Sequence, residues 1–287
     1  MGWLDFDGSR IWYHREGAGD PIVLLHHGEA DHRLWDFQVA HLRRDRYDVV
    51  VPDLLGFGRS DKPNVAYTLE LYARLVERIV DDLDLAPVTL VGACVGSAAA
   101  LRYAYEHPDR VRSLILVSTL TSDTIAAGVL GRGTHLAQAS PLAAAAFRFV
   151  VRRGWIPRRV REQPMRAAFG DRVDESWAAY FADQRWRDRR SLLAWISMGQ
   201  HITSFTGPRP DEPDWFPPVC SVWGAANRIL PLSAGQAFNA TLGPDEAHVI
   251  DGAGHMAPLE RPDELNAIID AFLARHVARA SADAERS

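Results

Sequence analysis

The sequence predicts an α/β protein in which a mostly parallel, doubly wound sheet carries an inserted helical lid. First, short continuous apolar runs such as "PIVLLHHG" (21–28) are typical of strands buried on both faces of a parallel sheet. Second, these runs alternate with segments of helical apolar spacing, as in a parallel sheet covered by helices on both sides. Third, the alternation stops between Leu120 and about Pro218, where the spacing becomes helical.

The predicted elements begin with a β-hairpin over residues 1–17. It turns near Asp7-Gly8, because apolar and polar positions alternate around "DFDGSR". The predicted strands that follow cover 21–28, 47–53, 87–93, 111–119, 219–224 and 246–255. The predicted core helices cover 69–85, 97–107 and about 262–276.

A chain of 287 residues is long enough for one such domain with an insertion. We divide it into a core of residues 1–120 and 215–279, a helical lid of residues 121–214 and a flexible tail of residues 280–287. Most arginines of the lid are expected on solvated helix faces, and contact between some of them and an acidic substrate is left open. The arginines concerned are Arg152, Arg153, Arg158 and Arg159.

Composition excludes several classes of protein. The formal charge of −5 argues against a general nucleic-acid-binding protein. No apolar run reaches the roughly 18 residues of a membrane span, and the N-terminal segment lacks an apolar signal region, so we expect neither membrane insertion nor export. Two cysteines do not support a disulfide framework and fit a reducing cytoplasm. Lys62 is the only lysine among abundant arginines, which indicates the GC-rich codon usage of many bacteria.

The stretch "GACVGSAAAL" (92–101) predicts a nucleophile elbow with Cys94 in its middle. It joins a buried strand to a helix through a sharp turn, and Gly92 and Gly96 are expected there because no side chain can crowd such a turn. The turn places Cys94 at a helix N-terminus, which lowers the pKa of a thiol. Three interpretations stay open: a reactive thiol, an inert small residue in a binding protein, or an engineered replacement of serine.

Four further segments accompany the elbow: "HHGEADHRLW" (26–35), "DLLGFGRSDKP" (53–63), "WGAANRILP" (223–231) and "GAGHMAPLERPDEL" (252–265). In this order, and along nearly the whole chain, they resemble the α/β-hydrolase fold family. The resemblance implies that Cys94 stands where the family has its nucleophilic serine. It also implies that His255 is the general base and that Asn227 stands where the family has its acid.

The chain departs from the family pattern twice, with cysteine in place of the nucleophilic serine and asparagine in place of the acid, and the two changes are consistent with each other. An amide can accept a hydrogen bond and orient an imidazole, but it cannot stabilise an imidazolium by charge. In a serine enzyme this change costs about 10⁴ in kcat. A thiol is more acidic than a hydroxyl, so a Cys–His pair can ionise without a buried carboxylate, and papain-like enzymes use Cys-His-Asn on an unrelated fold. Alternatively, Asp123 after the strand at 111–119 supplies the acid, or catalysis has been lost.

The resemblance also implies an oxyanion hole formed by the backbone N–H groups of Val95 and Glu29. The Glu29 side chain is either solvated or, with a raised pKa, a proton donor or substrate contact. The segment "DLLGFGRSD" lacks the spacing of a phosphate-binding loop and is interpreted as structural. No residue cluster has metal-ligand spacing, so neither a metal nor another cofactor is expected.

Three functions follow from these residues. The first is an enzyme acting on the ester, thioester or lactone of a small acyl substrate, as an esterase, other hydrolase or acyltransferase in bacterial small-molecule metabolism. The second is a lyase in which His255 removes a proton and a carboxylate such as acetate leaves an acylated polyketide-type intermediate, as in antibiotic biosynthesis. The third is a non-catalytic ligand-binding relative. Cys94 argues against dehalogenases and epoxide hydrolases, which need a carboxylate nucleophile, and the oligomeric state is left open.

Overall fold

The computed structural model describes residues 1–28, 30–44, 47–131, 140–153, 165–209 and 216–284. One sheet of eight strands forms its centre, in the order β1-β2-β4-β3-β5-β6-β7-β8. The strands are β1 (Gly2–Phe6), β2 (Ser9–Gly17), β3 (Asp20–Leu25), β4 (Tyr47–Pro52), β5 (Val88–Ala93), β6 (Val111–Val117), β7 (Val219–Gly224) and β8 (Glu246–Ile250).

The predicted hairpin is confirmed at the N-terminal edge of the sheet. β1 and β2 pair antiparallel, and both turn residues have positive φ, 52° at Asp7 and 77° at Gly8. Such a turn matches the twist of the two strands it joins. β2 also pairs antiparallel with β4, whereas all pairs from β4 through β8 are parallel, which confirms a mostly parallel sheet.

Helices flank the sheet. In the core, α2 packs on α3, α1 packs on the C-terminal helix α10, and both pairs contact strands. Every residue of β5 and of β7 is buried, as expected for strands covered on both faces. The helices are α1 (Asp36–Leu42), α2 (Leu69–Asp82), α3 (Val95–Glu106), α4 (Ser122–Ala126), α5 (Pro141–Arg153), α6 (Glu175–Arg187), α7 (Arg189–Gln200), α8 (Leu232–Leu242), α9 (Ala257–Glu260) and α10 (Pro262–Ala284).

Residues 118–218 are inserted between β6 and β7. The described part of this insertion contains α4 to α7. Within the insertion, α6 and α7 are separated at Asp188, whose side chain accepts a hydrogen bond from the Arg190 N–H and so begins α7. Within the described ranges, no helix combines the length and apolarity needed to cross a membrane.

Three strands end two or more residues earlier than their apolar runs predict, and their ends position the site. β3 stops at Leu25, before the two histidines of "HHG", and β6 stops at Val117. β8 stops at Ile250, five residues before His255. The carboxyl ends of parallel strands meet at one edge of a sheet, where ligands bind in open α/β folds. In contrast to these strands, the helix α10 is longer than predicted. It continues to Ala284, beyond its predicted end at 276, because residues 277–284 are alanine-rich.

Candidate active site

Cys94 lies in the turn between β5 and α3, at the carboxyl edge of the sheet. Its backbone has φ 54° and ψ −110°, a conformation that a residue with a side chain rarely adopts. The Cys94 N–H donates to the Val117 carbonyl (3.0 Å), and the Cys94 carbonyl accepts from the Leu120 N–H (3.2 Å). Two hydrogen bonds to the end of β6 therefore hold the strained turn, with Cys94 only 7% exposed.

Both elbow glycines lie where no side chain fits. A Cβ at Gly96 would lie 2.3 Å from the Leu25 carbonyl oxygen, and a Cβ at Gly92 would lie 2.4 Å from the Ser97 nitrogen. The Ser97 hydroxyl also donates to the Gly92 carbonyl (2.7 Å), which ties the start of α3 to the end of β5. The close approach that the sequence predicts at these glycines is therefore present in the structure.

His255 lies in the loop between β8 and α9, and two contacts fix that loop. Its N–H donates to the Ala168 carbonyl in the helical insertion (2.6 Å). The Glu260 carboxylate accepts from the N–H groups of Gly254 (3.0 Å) and Gly170 (2.7 Å). Burial raises the pKa of Glu260, although those two N–H donors oppose the rise. Glu260 thus joins the histidine loop to the insertion, a role that sequence reasoning missed.

Asn227 follows β7 and contacts His255, but the nitrogen of its amide, and not the oxygen, faces the imidazole. The Oδ1 atom accepts from the N–H groups of Ile229 (3.0 Å) and Leu230 (3.0 Å). The Nδ2 atom donates to Ser118 Oγ (3.1 Å) and lies 3.3 Å from His255 Nδ1. The expectation that Asn227 accepts a hydrogen bond from the imidazole is therefore wrong, because two backbone donors already occupy its oxygen.

The alternative acid, Asp123, lies elsewhere. It is an exposed residue on the first turn of α4, and the neighbour of His255 Nδ1 is Asn227. Ser118, at the end of β6, is the residue of this region that takes part, as the acceptor for the Asn227 amide. It has a φ of 50°, which no spacing in the sequence reveals.

His27 is a second histidine of the site, and sequence reasoning gave it no role. Its ring centroid lies 5.1 Å from that of His255, its Nδ1 lies 2.6 Å from the Gly28 carbonyl and its Nε2 lies 2.8 Å from Met256 Sδ. Burial lowers the pKa of His27 to about 4. Burial, and then the neighbouring His27, lower the pKa of His255 well below its usual value. Both imidazoles are therefore neutral at pH 7, and the only sequence signal was a histidine pair directly beyond a strand.

The structure describes one of the two backbone donors predicted for the oxyanion hole. Val95 is the first residue of α3, so its N–H has no acceptor within the helix and is available at the elbow. Glu29, the other predicted donor, lies outside the described residues.

Cys94, His27 and His255 share a compact pocket of about 80 Å³. Apolar side chains form its walls, among them Trp195 and Met198 of α7. Among the lining residues that the structure describes, none is Arg, Lys, Asp or Glu, so nothing in them favours an acidic substrate.

Of the four arginines considered above, Arg153 is exposed and lies over the Phe149 ring. The Arg152 side chain and both Arg158 and Arg159 lie outside the described part of the chain.

The segment "DLLGFGRSD" closes a turn on itself, as its interpretation as structural predicts. Asp53 is fully buried and accepts from the backbone N–H groups of His32 (2.7 Å) and Arg59 (2.7 Å). The Ser60 hydroxyl donates to the Asp53 carbonyl (2.5 Å). These bonds shape the chain after β4.

A family model for the α/β hydrolase fold matches residues 21–262. The chain belongs to the α/β hydrolase fold family.

Several known proteins are similar to this chain in sequence or in structure. An uncharacterised protein of Mycobacterium tuberculosis is 29% identical over 93% of this chain and 79% of its own length. The 2-hydroxy-6-oxo-2,4-heptadienoate hydrolase of Pseudomonas putida is 27% identical, over 91% of each chain. A thermophilic esterase from Thermogutta terrifontis superposes with a TM-score of 0.79 at 21% identity, covering 96% of this chain and 100% of the esterase.

Away from the pocket of this α/β hydrolase fold protein, one group in the described ranges has metal-ligating residue types close together. The ligand atoms of Cys220, Glu246 and His248 lie within 4.8 Å of one another, on β7 and β8. Hydrogen bonds from Arg275 lower the pKa of Glu246 to about 2, whereas burial raises the pKa of Cys220 to about 12. Arg275 occupies the carboxylate with two hydrogen bonds (2.7 and 2.6 Å), so the group is organised as an ion-pair network.

Proposed function

We propose that this α/β hydrolase acts on acyl compounds, as a hydrolase or acyltransferase, with Cys94 as its nucleophile. The observation that carries the proposal is the position of Cys94: a strained elbow residue, at a helix N-terminus, inside an apolar pocket that it shares with His255. A side chain in that backbone conformation is expected where chemistry needs it. The hydrolase name of the Pseudomonas putida relative supports the reaction class.

The proposed covalent step begins when the Cys94 thiolate attacks the carbonyl carbon of an ester, thioester or lactone. A C–S bond forms, and the carbonyl electron pair moves to oxygen, which the Val95 N–H and the N–H predicted at Glu29 hold. The pair then returns, and the bond to the leaving group breaks with its electrons. Water, or a second nucleophile in the case of transfer, then attacks the acyl carbon and loses a proton to solvent. The C–S bond breaks with its electrons, which releases the Cys94 thiolate and the acid or transferred acyl product.

The size and polarity of the pocket limit the acyl group. A pocket of about 80 Å³ is far smaller than the roughly 300–1,000 Å³ of sites for drug-sized ligands. Its lining side chains in the described ranges are mainly apolar. The substrate we propose therefore has a short, uncharged acyl group, and any charged portion lies outside.

The elimination reaction is less well supported by this geometry. It needs a base in the pocket, and the amide of Asn227 donates toward His255 Nδ1 rather than accepting from it. In the neutral imidazole, the pocket-side nitrogen then carries the proton and has no lone pair to offer.

Intact-mass spectrometry with acetyl and butyryl esters and thioesters of good leaving groups tests the proposal. We expect wild-type protein to gain one acyl group, located on Cys94, and Cys94→Ala to gain none. Cys220 is a control within the same molecule, because it is fully buried and its pKa is raised to about 12 by burial. Turnover that survives Cys94→Ala would contradict a nucleophilic role. Binding of acyl compounds without adduct or turnover would indicate a non-catalytic relative.

A further inference from the structure

The amide of Asn227 can adopt only one direction. Its Oδ1 atom accepts from two backbone donors, the N–H groups of Ile229 and Leu230, each at 3.0 Å. Turning the amide over would place Nδ2 against these two N–H groups, and three donors would face one another in a buried site. Asn227 is 4% exposed, so water cannot relieve that conflict. The backbone of the loop after β7 therefore sets the direction of the amide.

The direction of the amide decides which nitrogen of His255 carries the proton. Asn227 Nδ2 lies 3.3 Å from His255 Nδ1 and points a hydrogen toward it, so Nδ1 must offer its lone pair. A neutral imidazole with an unprotonated Nδ1 carries its hydrogen on Nε2. We propose that Asn227 is a positioning residue that locks His255 in the Nε2–H tautomer, so that His255 meets the substrate as a hydrogen-bond donor and not as a base.

The other groups around His255 do not reverse this assignment. From the end of β3 it faces His27, from the insertion the Ala168 carbonyl, which accepts from its backbone N–H, and from the elbow Cys94, which lines the same pocket. Burial and His27 both hold its pKa well below the usual value. Protonation at Nδ1 would also point an N–H at the Asn227 N–H. The site therefore disfavours an imidazolium that would pair with a Cys94 thiolate.

The lock limits the substrate class, a conclusion that rests on the proposed acyl chemistry at Cys94. Without a base, the thiol proton passes to solvent and not to His255 before attack, and the helix N-terminus at Cys94 favours the resulting thiolate. Without an imidazolium, the leaving group receives no proton and departs as an anion. Thioesters and aryl or enol esters, which release thiolates, phenolates or enolates, satisfy this condition. Simple alkyl esters, which release strongly basic alkoxides, do not.

Nitrogen NMR of the wild-type protein tests the lock without any assay of activity. In protein labelled with ¹⁵N-histidine, His255→Ala identifies the signals of His255 by their loss. We expect Nδ1 to have the shift of an unprotonated ring nitrogen, and Nε2 that of a nitrogen with a bound hydrogen. A proton on Nδ1, or an imidazolium at neutral pH, would overturn the proposal.

Asn227→Asp is the variant that reverses the lock. One carboxylate oxygen can keep the N–H bonds of Ile229 and Leu230, while the other accepts from His255 Nδ1 and leaves the Nε2 lone pair free. We expect the NMR assignment of the two nitrogens to exchange. Ser118→Ala is the matched control, because it removes the other acceptor of Nδ2 but neither donor to Oδ1. It should leave the hydrogen on Nε2.

The rate at which iodoacetamide alkylates Cys94 reports whether the lone pair freed on His255 Nε2 in Asn227→Asp acts as a base toward the thiol. With Cys220→Ala in every sample, Asn227→Asp should raise the rate at neutral pH at least about tenfold, since a wrong tautomer withholds the base. Adding His255→Ala should abolish that gain, whereas His255→Ala alone should change the rate by no more than about fivefold, the net effect of one hydrogen bond. An unchanged rate in Asn227→Asp, or a large loss in His255→Ala alone, would overturn the proposal.

The dependence on the leaving group then tests the substrate class. For acetyl donors with a series of phenols and thiols, wild-type acylation should slow more steeply with rising leaving-group pKa than acylation of Asn227→Asp. Equal slopes would contradict the inference. If no acyl adduct forms on Cys94 at all, the proposed function fails, while the nitrogen assignment is decided separately by NMR.

Discussion

Met198 lines the pocket, so on the proposed function it should limit the size of the acyl group. It is buried on α7, lines the pocket with Cys94, and its Cε lies 2.9 Å from where a Cβ at Gly28 would be. Met198→Ala should shift the ratio of kcat/KM for hexanoyl over acetyl donors by at least about tenfold, since each methylene in an apolar pocket contributes about 1–3 kcal/mol of discrimination. The measurement is a chain-length series of acyl thioesters.

A matched control separates pocket size from loss of packing. Ile196 is as buried as Met198 and lies on the same helix, but it packs against Leu192 and does not line the pocket. Ile196→Ala should destabilise the protein by about 2–5 kcal/mol without changing the chain-length ratio. A similar shift in both variants would show that Met198 acts through the stability of α7 and not through the pocket.

At the same scale, the sequence predicted which residues meet in the site better than it predicted how they interact. Cys94 and His255 line one pocket, and Asn227 contacts His255, as the motif order implied. The direction of the Asn227 amide could not be read from its identity. It depends on where the loop places the N–H groups of Ile229 and Leu230, a three-dimensional property of the backbone.

The elbow is the element whose geometry depends most directly on individual residues. A Cβ at Gly96 would lie 2.3 Å from the Leu25 carbonyl oxygen, and neither backbone can move without disturbing β3 or α3. Gly96→Ala should therefore reduce the free energy of unfolding by more than about 2 kcal/mol. Urea unfolding followed by circular dichroism measures the change.

Gly199→Ala provides the comparison, because Gly199 lies within α7 and a Cβ there would meet no atom within 4 Å. Replacing a helical glycine with alanine should stabilise the protein by about 0.5–1 kcal/mol. If Gly96→Ala were as well tolerated as Gly199→Ala, the close approach at the elbow would be wrong.

Element ends were less predictable than element types. Apolar runs correctly indicated β3, β6 and β8, but each predicted strand included residues that leave the sheet. His27 and Ser118 lie in those overhangs, and both contact other residues of the site. A residue beyond the last paired position can continue a run in the sequence whether or not it finds a pairing partner, and pairing is decided by the neighbouring strand.

At the scale of the whole molecule, the alternation of apolar runs and helical segments was sufficient to predict a mostly parallel sheet. It was not sufficient to predict the order of the strands. The placement of β4 between β2 and β3 depends on long-range pairing, such as Tyr13 with Pro52, that no local pattern encodes. The same holds for the contact between the insertion and the core, where the Tyr180 hydroxyl donates to the Asp31 carboxylate (2.7 Å). Sequence spacing gave no sign of either.

Buried neutral histidines make the stability of the whole molecule depend on pH. His27 has a pKa of about 4 in the folded protein because of burial, against 6.5 for the free side chain. As the pH falls through 6.5 toward 4, the unfolded chain binds a proton that the folded chain does not, so the free energy of unfolding decreases. Between pH 7.5 and pH 5 this single group should account for a loss of about 2 kcal/mol.

Urea unfolding at several pH values checks this, with His27→Asn as the test variant. Asparagine can still donate to the Gly28 carbonyl, as His27 Nδ1 does, but it does not titrate. The variant should therefore lose about 2 kcal/mol less than the wild type on going from pH 7.5 to pH 5. Equal pH dependence in the wild type and His27→Asn would mean that His27 has the same pKa in the folded protein as in the unfolded chain. Below about pH 6.5 it would then carry a positive charge beside His255, which contradicts a pair of imidazoles kept neutral by burial.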